Sequence, residues 1–207
     1  MRNVICFALF VCLILITQTV FAQDPIIIDH TCTDYTQIPE SWIQAAKDNL
    51  LISYGHTSHG SQLVTGLQAF EDTFGGIFDF DRTTYGLNPG VFLNDYYPSG
   101  DLGNPDYTTW ESLTRAMLED PACDRNVVMW SWCGQADTTE QNIQTYLTLM
   151  DGLRADYPGV TFVYMTGHLN GTGDTGNLHA RNNQIRNHVL ATGGILFDFA
   201  DIDSHDP

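Results

Sequence analysis

Short apolar runs alternate along this chain with longer segments whose apolar residues recur at helical spacing, and this alternation restricts the fold more than any other feature. Leu50 to Tyr54, Asn126 to Trp132, Val160 to Met165 and Ile195 to Phe199 read as strands buried on both faces. Between them lie helical patterns from Pro39 and Glu40 to about Asp48, Ser61 to Phe74, Thr108 to Glu119 and Leu178 to Ala191. Another runs from a cap at Thr138 or Thr139 to about Asp156, with Ile143, Leu147, Met150 and Leu153 on one face. Strands alternating with helices predict a mostly parallel sheet covered on both sides, an α/β fold built as a three-layer α/β/α sandwich. The segment from Gly75 to Asp106 is rich in Gly, Asp, Asn, Pro and Tyr. It is expected to hold one strand, Ile77 to Phe80 or Val91 to Leu93, and its length marks it as functional.

The first 22 residues read as an export signal. Arg2 precedes an apolar stretch from Val4 to Val20, and Val20 and Ala22 are small residues placed for cleavage before Gln23. The remaining 185 residues suit one domain spanning Gln23 to Pro207. They carry seven basic residues against 25 acidic ones, and Lys47 is the only lysine. A nucleic-acid partner is excluded, because neutralising phosphates takes clustered Lys and Arg. A secreted or periplasmic protein with no membrane contact after cleavage, no cofactor and a monomeric state is the expectation. Cys32, Cys123 and Cys133 remain after cleavage, and export favours one disulfide, with Cys32 and Cys123 the preferred pair.

Ligands of open parallel sheets bind beyond the carboxyl ends of the strands. The residues at those points are Gly55 to Ser61, then Cys133, Gly134, Gln135 and Asp137, then Thr166 to Thr172, then Asp201, Asp203 and His205. Four of the seven histidines fall there: His56, His59, His168 and His205. Ser58, in a Gly-bounded turn between strand and helix, is the candidate nucleophile, with backbone amides at the helix start to hold an oxyanion. His168 is the leading base, and Gln135 or Asn170 could donate to the oxyanion. The competing reading makes Ser58 or Ser61 a helix cap. A metal bound by His56, His59 and His168 is the weaker alternative, since no helical His-Glu-x-x-His pattern supports it. His30, His179 and His188 read as surface residues. Trp110, Trp130, Trp132, Tyr96 and Tyr97 could line a sugar cleft, although Trp130 and Trp132 share one strand face and suit the core.

The run Tyr54-Gly55-His56-Thr57-Ser58-His59-Gly60-Ser61 resembles the first block of a divergent branch of the SGNH (GDSL-like) hydrolase superfamily, in which Gly-His-x-Ser-x-Gly replaces Gly-Asp-Ser. Trp130-Ser131-Trp132-Cys133-Gly134 is similar to the region of that superfamily's third block. The resemblance spans most of the mature chain and implies a flavodoxin-like sheet. It makes Ser58 the nucleophile and places Gly134 and Gln135 near the position of the third block's Asn. The family's Asp-x-x-His pair has no direct match; Asp201, Asp203 and His205 supply both residue types at other spacings. His205, oriented by Asp201 or Asp203, thus rivals His168 as base. If the chain is a fragment, the family's pair lies beyond Pro207.

These readings lead to an expected esterase or deacylase acting through Ser58 on a carbohydrate, another extracellular polymer or a small ester. His56, His59, Gly134, Gln135, Asn170 and Trp132 are expected to bind substrate or stabilise charge. The rival expectations are a non-catalytic carbohydrate-binding descendant of the fold, and a metal-dependent enzyme or polysaccharide lyase using the same cleft.

Overall fold

A computed structural model describes residues 24–205; the expected export signal lies outside the described residues. Strands β1 (Ile26–Ile28), β2 (Ile52–Gly55), β3 (Arg82–Thr84), β4 (Leu93–Asp95), β5 (Val127–Trp130), β6 (Thr161–Met165) and β7 (Ile195–Phe197) form one sheet in the order β1-β7-β6-β5-β2-β4-β3. Every pairing is parallel. Helices α1 (Glu40–Asn49), α2 (Ser61–Phe74), α3 (Thr109–Leu118), α4 (Glu140–Asp156), α5 (Asn177–Thr192) and α6 (Phe199–Asp203) complete the α/β fold. It is consistent with the expected three-layer sandwich.

Alternation along the strands divides the core. In β5, Val128 and Trp130 join Trp110 and Met117 of α3, Tyr146, Leu147 and Met150 of α4, and Ile185 and Val189 of α5. The intervening Met129 packs instead with Tyr54, Leu93 and α2 residues Leu63 and Val64 on the opposite face. A two-residue strand period thus sends one side chain to each helical layer. Thr139 caps α4 as expected, its hydroxyl accepting from the Asn142 amide at 3.2 Å.

Five short elements depart from the sequence expectations. The Gly75–Asp106 segment contributes two strands, β3 and β4; of the two alternatives for its one expected strand, Ile77–Phe80 is instead a 3₁₀ turn over Gly76–Phe78, and Val91–Leu93 overlaps β4 at Leu93. All three residues of β4 are buried, including polar Asn94 and Asp95. Periodicity cannot single out such a strand, because two of its three buried positions are hydrophilic. Strand β1 and helix α6, three and five residues long, were also not expected.

The three tryptophans of the imagined sugar cleft are core residues: Trp110, Trp130 and Trp132 are at most 2% exposed. Trp132 donates its indole N–H to the Met165 carbonyl at 2.8 Å, so its role is to tie β5 to β6 and not to contact substrate. The expected Cys32–Cys123 disulfide is not present; all three described cysteines are free thiols. Cys32 stands exposed beside β1, while Cys123 packs against the core between α3 and β5.

Candidate functional site

Strand β2 is central, and its chain direction delivers His56 to the carboxyl edge of the sheet between β4 and β5. The imidazole is 4% exposed, and its Nε2 lies 2.6 Å from Oδ1 of Asp95, the last residue of β4. Register explains the meeting: Tyr54 pairs with Asp95, so the residue after the strand overhangs that carboxylate. Asp95 Oδ2 accepts from the Thr84 hydroxyl at 3.2 Å. Against an ionised Asp95, Nε2 carries the proton and Nδ1 keeps the lone pair. That Nδ1 is buried and has no hydrogen-bond partner among the described residues.

The turn after His56 is pressed onto it. A Cβ at Gly60 would lie 2.2 Å from Ser131 Oγ and 2.4 Å from His56 Cβ, so only glycine fits. Within this turn Ser58 has φ 31°, a left-handed conformation unusual outside glycine. Ser58 is exposed, and neither its hydroxyl nor the amides of Ser58 and His59 have an acceptor or donor partner among the described residues. Its carbonyl accepts from the Ser61 hydroxyl at 2.6 Å, so Ser61 stabilises the turn instead of capping α2. Tyr85 and Tyr96 also have positive φ, 66° and 54°. Their rings meet at 4.7 Å, and Tyr96 contacts the His56 ring at 5.5 Å. The described non-glycine residues with left-handed backbone therefore gather around one imidazole, as strain does at functional sites.

Thr57, on the other side of His56, donates its hydroxyl to Asp101 Oδ2. Asp101 is 1% exposed and its Oδ1 is unpartnered. Burial pushes its carboxyl above the ordinary range, although the Thr57 hydroxyl and nearby His56 oppose the shift. Ser131, at the end of β5, is a further buried hydroxyl without a partner.

Histidines also converge from β2 and β6. His59 stacks on His168 with centroids 3.7 Å apart and planes 15° apart. His59 Nδ1 lies 3.6 Å from Cys133 Sγ, which follows β5. His168 Nδ1 lies 2.7 Å from the Leu169 carbonyl, which can only accept, so Nδ1 carries the proton and a neutral ring holds its lone pair at Nε2. Gln135 is anchored by its backbone carbonyl, which accepts from Tyr107 Oη at 3.3 Å, while its Oε1 is buried and unpartnered. A Cβ at Gly134 would meet nothing within 4 Å, so that turn is open.

The structure thus gathers Ser58, His59, Gly134, Gln135 and His168 along the β2–β5–β6 edge, with His56 beneath them. It does not bring Asp201 and His205 to Ser58. They follow β7, three strand positions from β2 and so about 14 Å away at the usual strand spacing. There they meet His30 after β1. Asn170 donates from its amide to Asp137 at 2.9 Å while its Oδ1 accepts from the Thr172 amide, clasping two loops together. The trio His56, His59 and His168 is split, because His56 turns to Asp95 and the other two stack over Cys133.

Asp95, Asp101 and Ser131 were missed. Asp95 lay in the unreadable Gly75–Asp106 segment, and its only sequence signal was a carboxylate closing the apolar run Val91–Leu93. Beside His56 and Asp95 opens a cavity of about 440 Å³ lined by Ser61, Val64, Gln68 and Arg82. A second, of about 460 Å³, lies along the β6–α5 loop and reaches Asn182, Arg186 and Asp201. No match was found among protein-family models, curated proteins or solved structures.

Proposed function

We propose that this chain is a hydrolase of carboxylic esters with Ser58 as nucleophile, acting on an acylated carbohydrate or other extracellular polymer. The observation carrying this reading is Ser58 at φ 31° in the turn between β2 and α2, its hydroxyl exposed and two neighbouring amides unengaged. A strained strand-to-helix turn lifts a nucleophile above the sheet edge and points amides at the place where negative charge develops.

In this mechanism Ser58 Oγ attacks the ester carbonyl and passes its proton to His168 Nε2. The Ser58 and His59 amides receive the oxyanion. Collapse of the tetrahedral intermediate expels the alcohol, protonated by the imidazolium, and water attacking the acyl-enzyme repeats the sequence. The His56–Asp95 pair braces the turn from below, a positioning role. Tyr85, 72% exposed, and Tyr96 provide an aromatic surface beside the turn. The net charge of −17 favours neutral or cationic substrates over anionic polymers.

The Cys133–His59 contact supports a second reading, with the thiol as nucleophile in the same acyl transfer. Hydrolysis of a short-chain aryl ester by Ser58→Ala, His168→Ala and Cys133→Ala variants separates the two. Loss of kcat by at least 10³-fold in Ser58→Ala, with Cys133→Ala near wild type, supports the serine mechanism. The reverse pattern selects the thiol. A folded wild-type protein inactive on aryl esters and on acylated polysaccharide overturns both.

A further inference from the structure

Away from the Ser58 turn, the first and last described elements meet at the β1–β7 edge. His30 follows β1, Asp201 lies in α6 and His205 follows that helix. The His30 backbone amide and Nδ1 both approach Asp201 Oδ2, at 2.9 and 2.5 Å. His205 Nδ1 lies 3.9 Å from Asp201 Oδ1. The two imidazoles stack face to face, with centroids 3.6 Å apart and planes 9° apart. One ligand atom from each of the three residues lies within 4.8 Å of the others.

We infer that His30, Asp201 and His205 form a binding site for a divalent transition-metal ion of the zinc class. Two imidazole nitrogens and one carboxylate oxygen are the donors such ions select, with a further position left for water. Around tetrahedral zinc, ligand atoms bonded at 2.0–2.1 Å stand ~3.3 Å apart. One ligand atom from each residue already lies within 4.8 Å of the others, and seating an ion takes reorientation of the half-exposed His205 ring, whose Nδ1 now donates to the Asp201 carbonyl at 2.8 Å. The side chains are 40%, 26% and 46% exposed, which leaves a path for entry. The carboxylate is held in place by the His30 amide, which donates to Oδ2, as metal ligands are oriented by a surrounding shell. Asp201 and Ser204 also line the 460 Å³ cavity, so the open coordination position would stand at its rim. The bound ion would clip edge strand β1 to helix α6.

The site is independent of the proposed ester hydrolysis. Titration calorimetry with zinc chloride, in a buffer that does not chelate the metal, tests it on the purified chain. The expected result is one zinc per chain, affinity weakened at least tenfold by His30→Ala or Asp201→Asn, and a melting temperature raised by zinc in the wild type only. His205→Ala removes a half-exposed ring near the end of the described chain, so it keeps the test valid if the other variants unfold. A His59→Ala/His168→Ala double variant is expected to bind zinc as the wild type does. Cobalt substitution should give visible bands of a nitrogen–oxygen site without thiolate charge transfer. Absence of zinc binding overturns the inference. So does binding that survives His30→Ala and His205→Ala, or that vanishes in the His59→Ala/His168→Ala variant.

Discussion

His56 Nε2 and Asp95 Oδ1 lie 2.6 Å apart and join two neighbouring strand ends beneath the Ser58 turn. The two residues are 39 positions apart in sequence, and their side chains are 5% and 10% exposed. Removing one partner of such a pair leaves the other buried without compensation. Asp95→Ala is therefore expected to destabilise the fold by about 3 kcal/mol, with a smaller loss for Asp95→Asn, whose amide oxygen still accepts from Nε2. Urea denaturation of both variants checks the order, and equal losses would contradict a charge-based role.

Backbone strain at Ser58 makes a separate prediction. A left-handed conformation costs a residue with a Cβ about 1–2 kcal/mol, while glycine adds about 0.5–1 kcal/mol of unfolded-state entropy. Ser58→Gly should leave stability unchanged or raise it by up to about 1 kcal/mol. It should nevertheless abolish the proposed ester hydrolysis. Greater stability with lost activity is the signature of strain held for function. A marked loss of stability would show that the hydroxyl serves the fold.

Gly60 and Gly66 provide a matched pair. An added methyl at Gly60 runs into Ser131 and His56, so Gly60→Ala should cost about 2–3 kcal/mol and disturb the His56–Asp95 contact. At Gly66, inside α2, a Cβ would meet nothing within 4 Å, and alanine there should stabilise by about 1 kcal/mol. Thermal unfolding of the two variants in one buffer should shift in opposite directions.

Asp101 sets a pH dependence of known sign. Its folded carboxyl titrates above its unfolded value because burial penalises the anion. The unfolded chain therefore releases this proton more readily, and the stability linked to it is lost as pH rises from the unfolded pKa through the folded one. Asp101→Asn keeps an acceptor for the Thr57 hydroxyl without the buried charge. It should exceed wild type in stability at neutral pH, with the gap closing as pH falls toward 4, the ordinary carboxylate range. Urea midpoints at three pH values measure it. A gap independent of pH would mean that the carboxylate is not strained by its burial.

Much of this architecture could be read directly from residue order. The apolar spacing at Leu63, Val64, Leu67 and Phe70, closed by Gly75, gave α2 its observed limits of Ser61 and Phe74. The continuous apolar runs at β5 and β6 implied strands covered on both faces. Such signals are local, repeating along the chain at 2 or 3.6 residues, and so they survive without three-dimensional information. The placement of Ser58, His59, Gln135 and His168 at one edge follows from the same logic, because parallel strands bring their carboxyl ends together.

Pairing across the sheet was decided elsewhere. The apolar run Val91–Leu93 hints at a strand beside Asp95, but nothing nearby names His56 as its partner; the register of β4 on β2 does. Trp132 carries the aromatic character of a binding residue, yet its side of β5 faces the α3–α4 layer. His205 and Asp201 have the residue types of a catalytic pair, but β7 stands three strands from β2. Sequence specified which residues belong to strands, helices and turns, because those preferences act between near neighbours. Tertiary structure alone decided which turns face one another, because strand order and register arise from burying all of these faces at once.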